Sequence, residues 1–160
     1  MAGTLKVKIQ EDIILDNQDY GSKRVLEVGS IASIVKRVVN IGTNEIGLLG
    51  FGAAYNTELS KSYLAGQFDE DNVRYIRITN LDGTNHIALV LKNENNDEFG
   101  VKVDKGCSFL YCTDLAGGVV DTMDSADAAG ITPNSFGDLV DITCTADTAA
   151  CDVEVFVAST

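Results

Sequence analysis

Apolar and polar residues alternate with a period of two along most of the chain, and this pattern predicts β-strands throughout. In the first segment Leu5, Val7 and Ile9 share one face and polar residues share the other, as in a half-buried strand. Strands are predicted at residues 5–9 (with 13–15 as a continuation), 24–28, 34–41, 45–51, 73–79, 87–91, 99–103, 107–112, 140–144 and 153–157.

Turn residues separate these segments. The turn chemistry of Asp82-Gly83 predicts a tight hairpin between the strands at 73–79 and 87–91. With a polar turn at 93–98 and another near Gly106, the strands from 73 to 112 are predicted to follow one another as a four-stranded meander.

Two stretches lack a regular period. Residues 50–66 indicate a long loop or a brief helix, and residues 114–137, which contain the single proline, indicate mostly loop. Eight to ten short strands without a long amphipathic helix predict an all-β fold, an antiparallel β-sandwich of jelly-roll type, as one domain over residues 1–160. The last strand, at 153–157, is either an edge strand that pairs subunits or an internal strand.

The charge of the chain excludes some partners. With 24 acidic and 12 basic residues its net charge is −12, which disfavours binding to nucleic acid or to an anionic membrane. Residues 81–160 carry 14 of the acids and three of the bases, so most of the negative charge lies in the second half. Neither a signal peptide nor a membrane span is predicted, and we expect the chain to remain in the cytosol after synthesis.

No residue pattern predicts catalysis, a metal or a cofactor. His86, the single histidine, is expected to lie on the surface or to brace a turn, and the spacing of Asp121, Asp124 and Asp127 does not match a calcium loop. The absence of tryptophan removes the commonest platform for sugar stacking. We therefore expect a protein that is not an enzyme.

The four cysteines have spacings that do not suit zinc. Buried free thiols are the expected state in a reducing compartment, although the even number leaves disulfides open. These cysteines are Cys107, Cys112, Cys144 and Cys151.

One stretch resembles a module of small structural proteins from tailed bacteriophages. It contains Asn72-Val-Arg-Tyr-Ile-Arg-Ile-Thr-Asn-Leu-Asp-Gly-Thr-Asn85 and, after a short strand and a polar turn, Phe99-Gly-Val-Lys-Val-Asp-Lys-Gly-Cys-Ser-Phe109. The opening Leu5-Lys-Val-Lys-Ile9 with Tyr20-Gly21 and the closing Val153-Glu-Val-Phe-Val-Ala-Ser-Thr160 resemble the ends of the same proteins. The four cysteines are not part of the pattern of these proteins, and residues 116–135 do not resemble them.

The resemblance implies a component of the virion, assembled in the host cytoplasm. The leading expectation is a capsid decoration or cement protein that forms homo-oligomers, such as trimers, and bridges copies of the major capsid protein or other virion subunits. A tail, connector or fibre subunit is the first alternative, and a sugar-binding or hydrolytic β-sandwich module is the second. The candidate capsid-docking residues are Lys6, Lys8, Lys36, Arg37, Arg74 and Arg77.

Overall fold

The computed structural model of the chain describes residues 2–52, 63–94, 96–112 and 138–160. These residues form thirteen strands and one 3₁₀ turn, Glu70–Asn72. The strands are β1 (Gly3–Glu11), β2 (Ile14–Leu15), β3 (Gln18–Asp19), β4 (Ser22–Ile31), β5 (Ser33–Ile41), β6 (Ile46–Phe51), β7 (Gly66–Phe68), β8 (Val73–Asn80), β9 (Ile87–Asn93), β10 (Glu98–Val103), β11 (Ser108–Cys112), β12 (Leu139–Ala146) and β13 (Cys151–Ser159). The prediction of an all-β fold is confirmed. The expected loop at 114–137 and most of the one at 50–66 lie outside the described residues.

Two sheets pack face to face. One has the strand order β5-β13-β8-β11, and the other has β10-β9-β12-β6 with the short β7 added beside β6. Neighbouring strands are antiparallel except for the β6–β7 pair. Two four-stranded sheets connected in this order have the strand arrangement of a jelly roll, which confirms the predicted sandwich.

The core lies between the sheets because each strand turns its apolar alternate residues inward. Ile76 and Ile78 of β8 belong to the same fully buried cluster as Ile87, Leu89 and Leu91 of β9. Residues on the outer faces of the same strands, such as Arg77 and Thr79, are partly exposed. The period of two in the sequence is therefore the period of burial.

The predicted meander is wrong at two of its three turns. Strands β9 and β10 do form a hairpin, but β8 lies in one sheet and β9 in the other, and the chain returns to the first sheet at β11. The connection after β8 is an arch in which Asp82 Oδ1 accepts hydrogen bonds from the amides of Thr84 and Asn85, at 2.7 and 2.6 Å. Asn80 Nδ2 donates to the Asn85 carbonyl at 2.9 Å. Asp-Gly chemistry thus closes a local turn, while burial of both apolar faces sends the next strand to the opposite sheet.

The last strand is internal. β13 is hydrogen-bonded to β5 on one side and to β8 on the other, so the subunit-pairing alternative for this strand is wrong. The edge of that sheet is β5, a nine-residue strand that directly follows β4.

Candidate functional site

A β-hairpin outside the two sheets is the main feature that the sandwich does not require. β1 and β4 pair antiparallel from Gly3↔Ile31 to Glu11↔Ser22, and we call residues 3–31 the arm. Beyond this pairing, β2 and β3 close the hairpin around Asp16 and Asn17, which both have positive φ, of 51° and 61°. Two such residues in succession fit the two-residue turn of a twisted hairpin, and Asp and Asn tolerate it better than most residues.

The arm has two chemically different faces, because residues paired directly across the strands point to the same side. One face, the apolar face, carries Leu5, Val7, Ile9, Leu26 and Val28 and, nearer the tip, Arg24, Glu11 and Ser22. The opposite face, the lysine face, carries Lys6, Lys8 and Lys23 together with Gln10, Val25 and Glu27.

The root of the arm packs on the outer face of the β5-β13-β8-β11 sheet. Ile31, Tyr75 and Ala158 are buried there in a second small core, which Leu5, Val7, Val28 and Phe156 surround. The rings of Tyr75 and Phe156 meet edge to face, with centroids 5.8 Å apart. An isolated two-stranded hairpin is only marginally stable in water, so this contact supports the arm.

Beyond the root the apolar face has no cover from the described residues of its own chain. Ile9 and Leu26 continue the line of Val7 and Val28, yet they are 46% and 42% exposed. The hydrophobic side chains beyond them are more exposed still, with Ile14 at 76% and Leu15 at 56%. Arg24, Glu11 and Ser22 separate Ile9 and Leu26 from the apolar side chains of the tip. Exposed apolar patches rimmed by polar residues commonly mark an interaction site.

Charge is also segregated along this part of the chain. The tip of the arm, residues 11–20, contains Glu11, Asp12, Asp16 and Asp19 and no basic residue. The rest of residues 1–40 contains six of the chain's twelve basic residues and Glu27 as its single acid. The acids of the arm are therefore concentrated at its tip, while its bases are spread along the rest, with Lys6 and Lys8 nearer the root and Lys23 and Arg24 next to the tip.

The sheet under the root adds an ion cluster to this positive region. On the outer face, Lys36 Nζ of β5 lies 3.0 Å from Glu154 of β13, and Arg77 of β8 contacts the same carboxylate. Hydrogen bonds from Lys36 and Arg77 lower the pKa of Glu154 below its usual value. Two cations share one acid, so the cluster keeps a net positive charge.

Four of the six predicted docking residues lie on one side of the molecule. At the root the apolar face of the arm rests on the sheet, so the lysine face with Lys6 points away from it, as the outer-face residues Lys36 and Arg77 do, and Lys8 follows Lys6 on that face. Lys6 pairs with Glu27 at 2.8 Å, and both side chains are well exposed. The structure thus brings Lys36 and Arg77 together on one carboxylate and places Lys6 and Lys8 on one face of the arm.

The other two predicted residues are placed differently. Arg37 is exposed on the free edge strand β5, in register with Val155, and so it points to the core side of the sheet. Arg74 donates to the backbone carbonyl of Asp71 at 2.7 Å, a local role next to the 3₁₀ turn.

Sequence reasoning missed the arm as a unit and the acids at its tip. The sequence signal that could have revealed them is Asp16-Asn17, two adjacent residues of types that adopt positive φ more readily than most. This pair lies between two alternating segments of similar length, as in a hairpin.

Side chains that commonly act in catalysis or bind metals are dispersed over the described residues. His86 Nδ1 lies 3.4 Å from Asp147, at one end of the sandwich. Within the described ranges, no three His, Cys, Asp or Glu side chains gather as metal ligands. Asp121, Asp124 and Asp127, whose spacing does not match a calcium loop, lie outside the described residues. Within the ranges that the structure describes, no helix is long and apolar enough to cross a membrane.

The cysteines divide into two kinds. Cys144 and Cys151 are buried and Cys107 and Cys112 are exposed, and all four are free thiols. The expectation of buried thiols is therefore correct for the second pair and wrong for the first. Burial raises the pKa of Cys144 to about 12 and also raises that of Cys112.

Comparison with known proteins gives no matching family model, no matching curated protein and no matching solved structure.

Proposed function

We propose that this protein is a structural subunit of a tailed-bacteriophage virion, a capsid decoration or cement protein that oligomerises and bridges capsid subunits. The observation that carries the proposal is the arm, whose exposed apolar face continues beyond the sheet that supports its root. Hydrophobic side chains exposed on a projecting hairpin gain stability when another subunit covers them.

The fold is compatible with this function. Jelly rolls occur among viral capsid domains, although they also occur among lectins, so the fold alone does not select between an assembly subunit and a sugar-binding module. The resemblance of residues 72–85 and 99–109 to small phage structural proteins favours the assembly subunit. The lysine face of the arm and the Lys36–Glu154–Arg77 cluster supply a basic side for docking to a capsid surface.

A cement protein acts by mass action. A subunit that binds the assembled shell and not its dissociated parts shifts the equilibrium toward the shell. Such a protein needs complementary surfaces and no turnover chemistry.

The test is made on purified particles of a phage that encodes this chain. Quantitative mass spectrometry is expected to find the chain in a fixed ratio to the major capsid protein, and cryo-electron microscopy is expected to locate it on the outside of the head. Heads that lack it should break at a lower temperature, and adding the purified chain should restore their resistance.

Two results would contradict the proposal. Absence of the chain from purified particles would remove the virion role altogether. Density for the chain in the tail, the connector or a fibre would replace the head position with the alternative virion position.

A further inference from the structure

We infer that the arm tip of one molecule docks in the arm root of a second copy of this chain. This inference deepens the proposed function. It rests on that proposal for one point, that the arm joins subunits. It names the partner of the arm and the contact through which copies oligomerise.

The tip is suited to a surface that is both apolar and basic. Its hydrophobic side chains are at least half exposed: Ile13 at 52%, Ile14 at 76%, Leu15 at 56% and Tyr20 at 58%. Its charged residues are all acids. A partner must therefore cover apolar area and supply cations at its rim.

The arm root provides such a surface. A groove between the start of β1 and the start of β5 has apolar walls formed by Leu5, Ile31, Ala32 and Ile34. Lys6 also lines this groove, and Lys36 is the next residue after Ile34 on the same face of β5. Ile34 is 57% exposed, so one wall of the groove is open to a partner.

The tip of a molecule does not reach its own root. The nine residues of β1 span about 30 Å, and the ladder with β4 is regular from Leu5 to Glu11, with one register shift between Gly3 and Leu5, so the arm is extended. The complementary surfaces therefore lie at opposite ends of the same element. They meet only between copies, either as two antiparallel arms in a dimer or head to tail in a closed ring.

The overall charge strengthens the argument for this particular contact. At a net charge of −12, two copies repel each other on average, so a stable oligomer needs a place where opposite charges meet. Tip against root is such a place on the arm, because the four acids of one copy approach the lysines of another.

The experiment exchanges charges between tip and root. The tip variant is E11K/D12K, which leaves the turn residues Asp16 and Asn17 and the Asp19 hydrogen bond to the Gly21 amide intact. The root variant is K6E/K8E, on the lysine face. The swapped variant carries all four changes and keeps the net charge of the original chain. Self-association is measured by native mass spectrometry and sedimentation at about 0.15 M salt, where only close charges interact strongly.

The original chain is expected to oligomerise, and the tip and root variants are each expected to raise the dissociation constant at least tenfold. The swapped variant is expected to regain most of the lost affinity, a recovery that a merely unfolded arm would not give. Single reversals elsewhere on the exposed surface, E98K and K105E, serve as controls for a change in charge of either sign and should leave association unchanged.

Three outcomes would overturn the inference: a monomeric original chain, tip and root variants that associate normally, or a swapped variant that stays dissociated. A monomer that still binds phage heads would leave the decoration proposal standing, with the arm docked on the capsid protein instead. Oligomers that form through tip and root but do not occur in virions would support the tip-to-root contact and contradict the decoration proposal.

Discussion

At the scale of single residues, Gly50 shows how closely the sandwich is packed at β6. A Cβ atom at this position would lie 2.4–2.8 Å from ring atoms of the buried Tyr63, whose hydroxyl donates to Asp141 at 3.4 Å. Gly50→Ala would displace the ring and disturb this buried pair. We therefore expect the free energy of unfolding to fall by about 2 kcal/mol. Urea denaturation measures the difference.

Gly100 on β10 is the matched control, because nothing lies within 4 Å of a Cβ built there. Gly100→Ala should change stability by less than about 0.5 kcal/mol. Equal effects of the two substitutions would contradict the packing argument.

The buried thiol of Cys144 predicts a loss of stability at high pH. In the folded protein its pKa is raised to about 12 by burial, with a contribution from Cys151, against an ordinary value of 9.0. A raised pKa stabilises the folded state fully below pH 9, and this contribution is lost between pH 9 and about 12 because the unfolded chain ionises first. The loss amounts to about 4 kcal/mol over this window.

Cys144→Ala isolates this contribution from other groups that ionise at high pH. The variant should show a shallower decline in unfolding free energy from pH 9 upward, whereas Cys107→Ser, which changes an exposed thiol, should follow the original chain. The measurement is denaturant unfolding at a series of pH values. Parallel curves for the original chain and Cys144→Ala would show that the thiol is not shielded.

At the scale of elements, the arm changes from packed to exposed between Val7 and Ile9 on its apolar face. Val7 contacts the small core around Tyr75, while Ile9, next on the same face, is 46% exposed. Val7→Ala should destabilise the arm by about 1 kcal/mol and speed amide exchange along β1 and β4. Ile9→Ala should leave exchange in the monomer nearly unchanged, although it should weaken association. Equal exchange in the two variants would contradict the boundary at the root.

The strands were predictable to a far greater extent than their partners. Alternation identifies which side of a strand is apolar, and in β8 and β9 that side is the core. It does not identify the neighbouring strand, so the Asp82-Gly83 turn predicted a hairpin where the chain crosses to the other sheet. The same ambiguity hid the arm, because Leu5, Val7 and Ile9 have the alternation of a core strand although only the first two are partly covered. Burial by a second molecule would leave the same pattern in the sequence as burial inside the chain.

At the scale of the whole molecule, the sandwich and the arm have separate cores. The main core lies between the two sheets, and the root core joins the arm to the outer face of one of them. The distal arm, residues 9–24, contributes to neither core, so its side chains are available for contacts with other molecules. Lys6 of the lysine face lines the root groove, and Lys36 of the Lys36–Glu154–Arg77 cluster lies on the same face of β5 as the groove residue Ile34.

This separation predicts that the distal arm is dispensable for folding and required for assembly. Replacing residues 9–24 by Asn-Gly would close the hairpin directly after the Lys8↔Val25 pair and retain the root contacts of Val7 and Val28. The shortened chain should unfold within a few degrees of the original, as followed by circular dichroism, because both cores remain. Sedimentation should find it monomeric, and it should fail to protect phage heads. A shortened chain that unfolds far earlier would show that the arm belongs to the sandwich core, and one that still oligomerises would move the subunit contact to another surface, such as the free edge of β5.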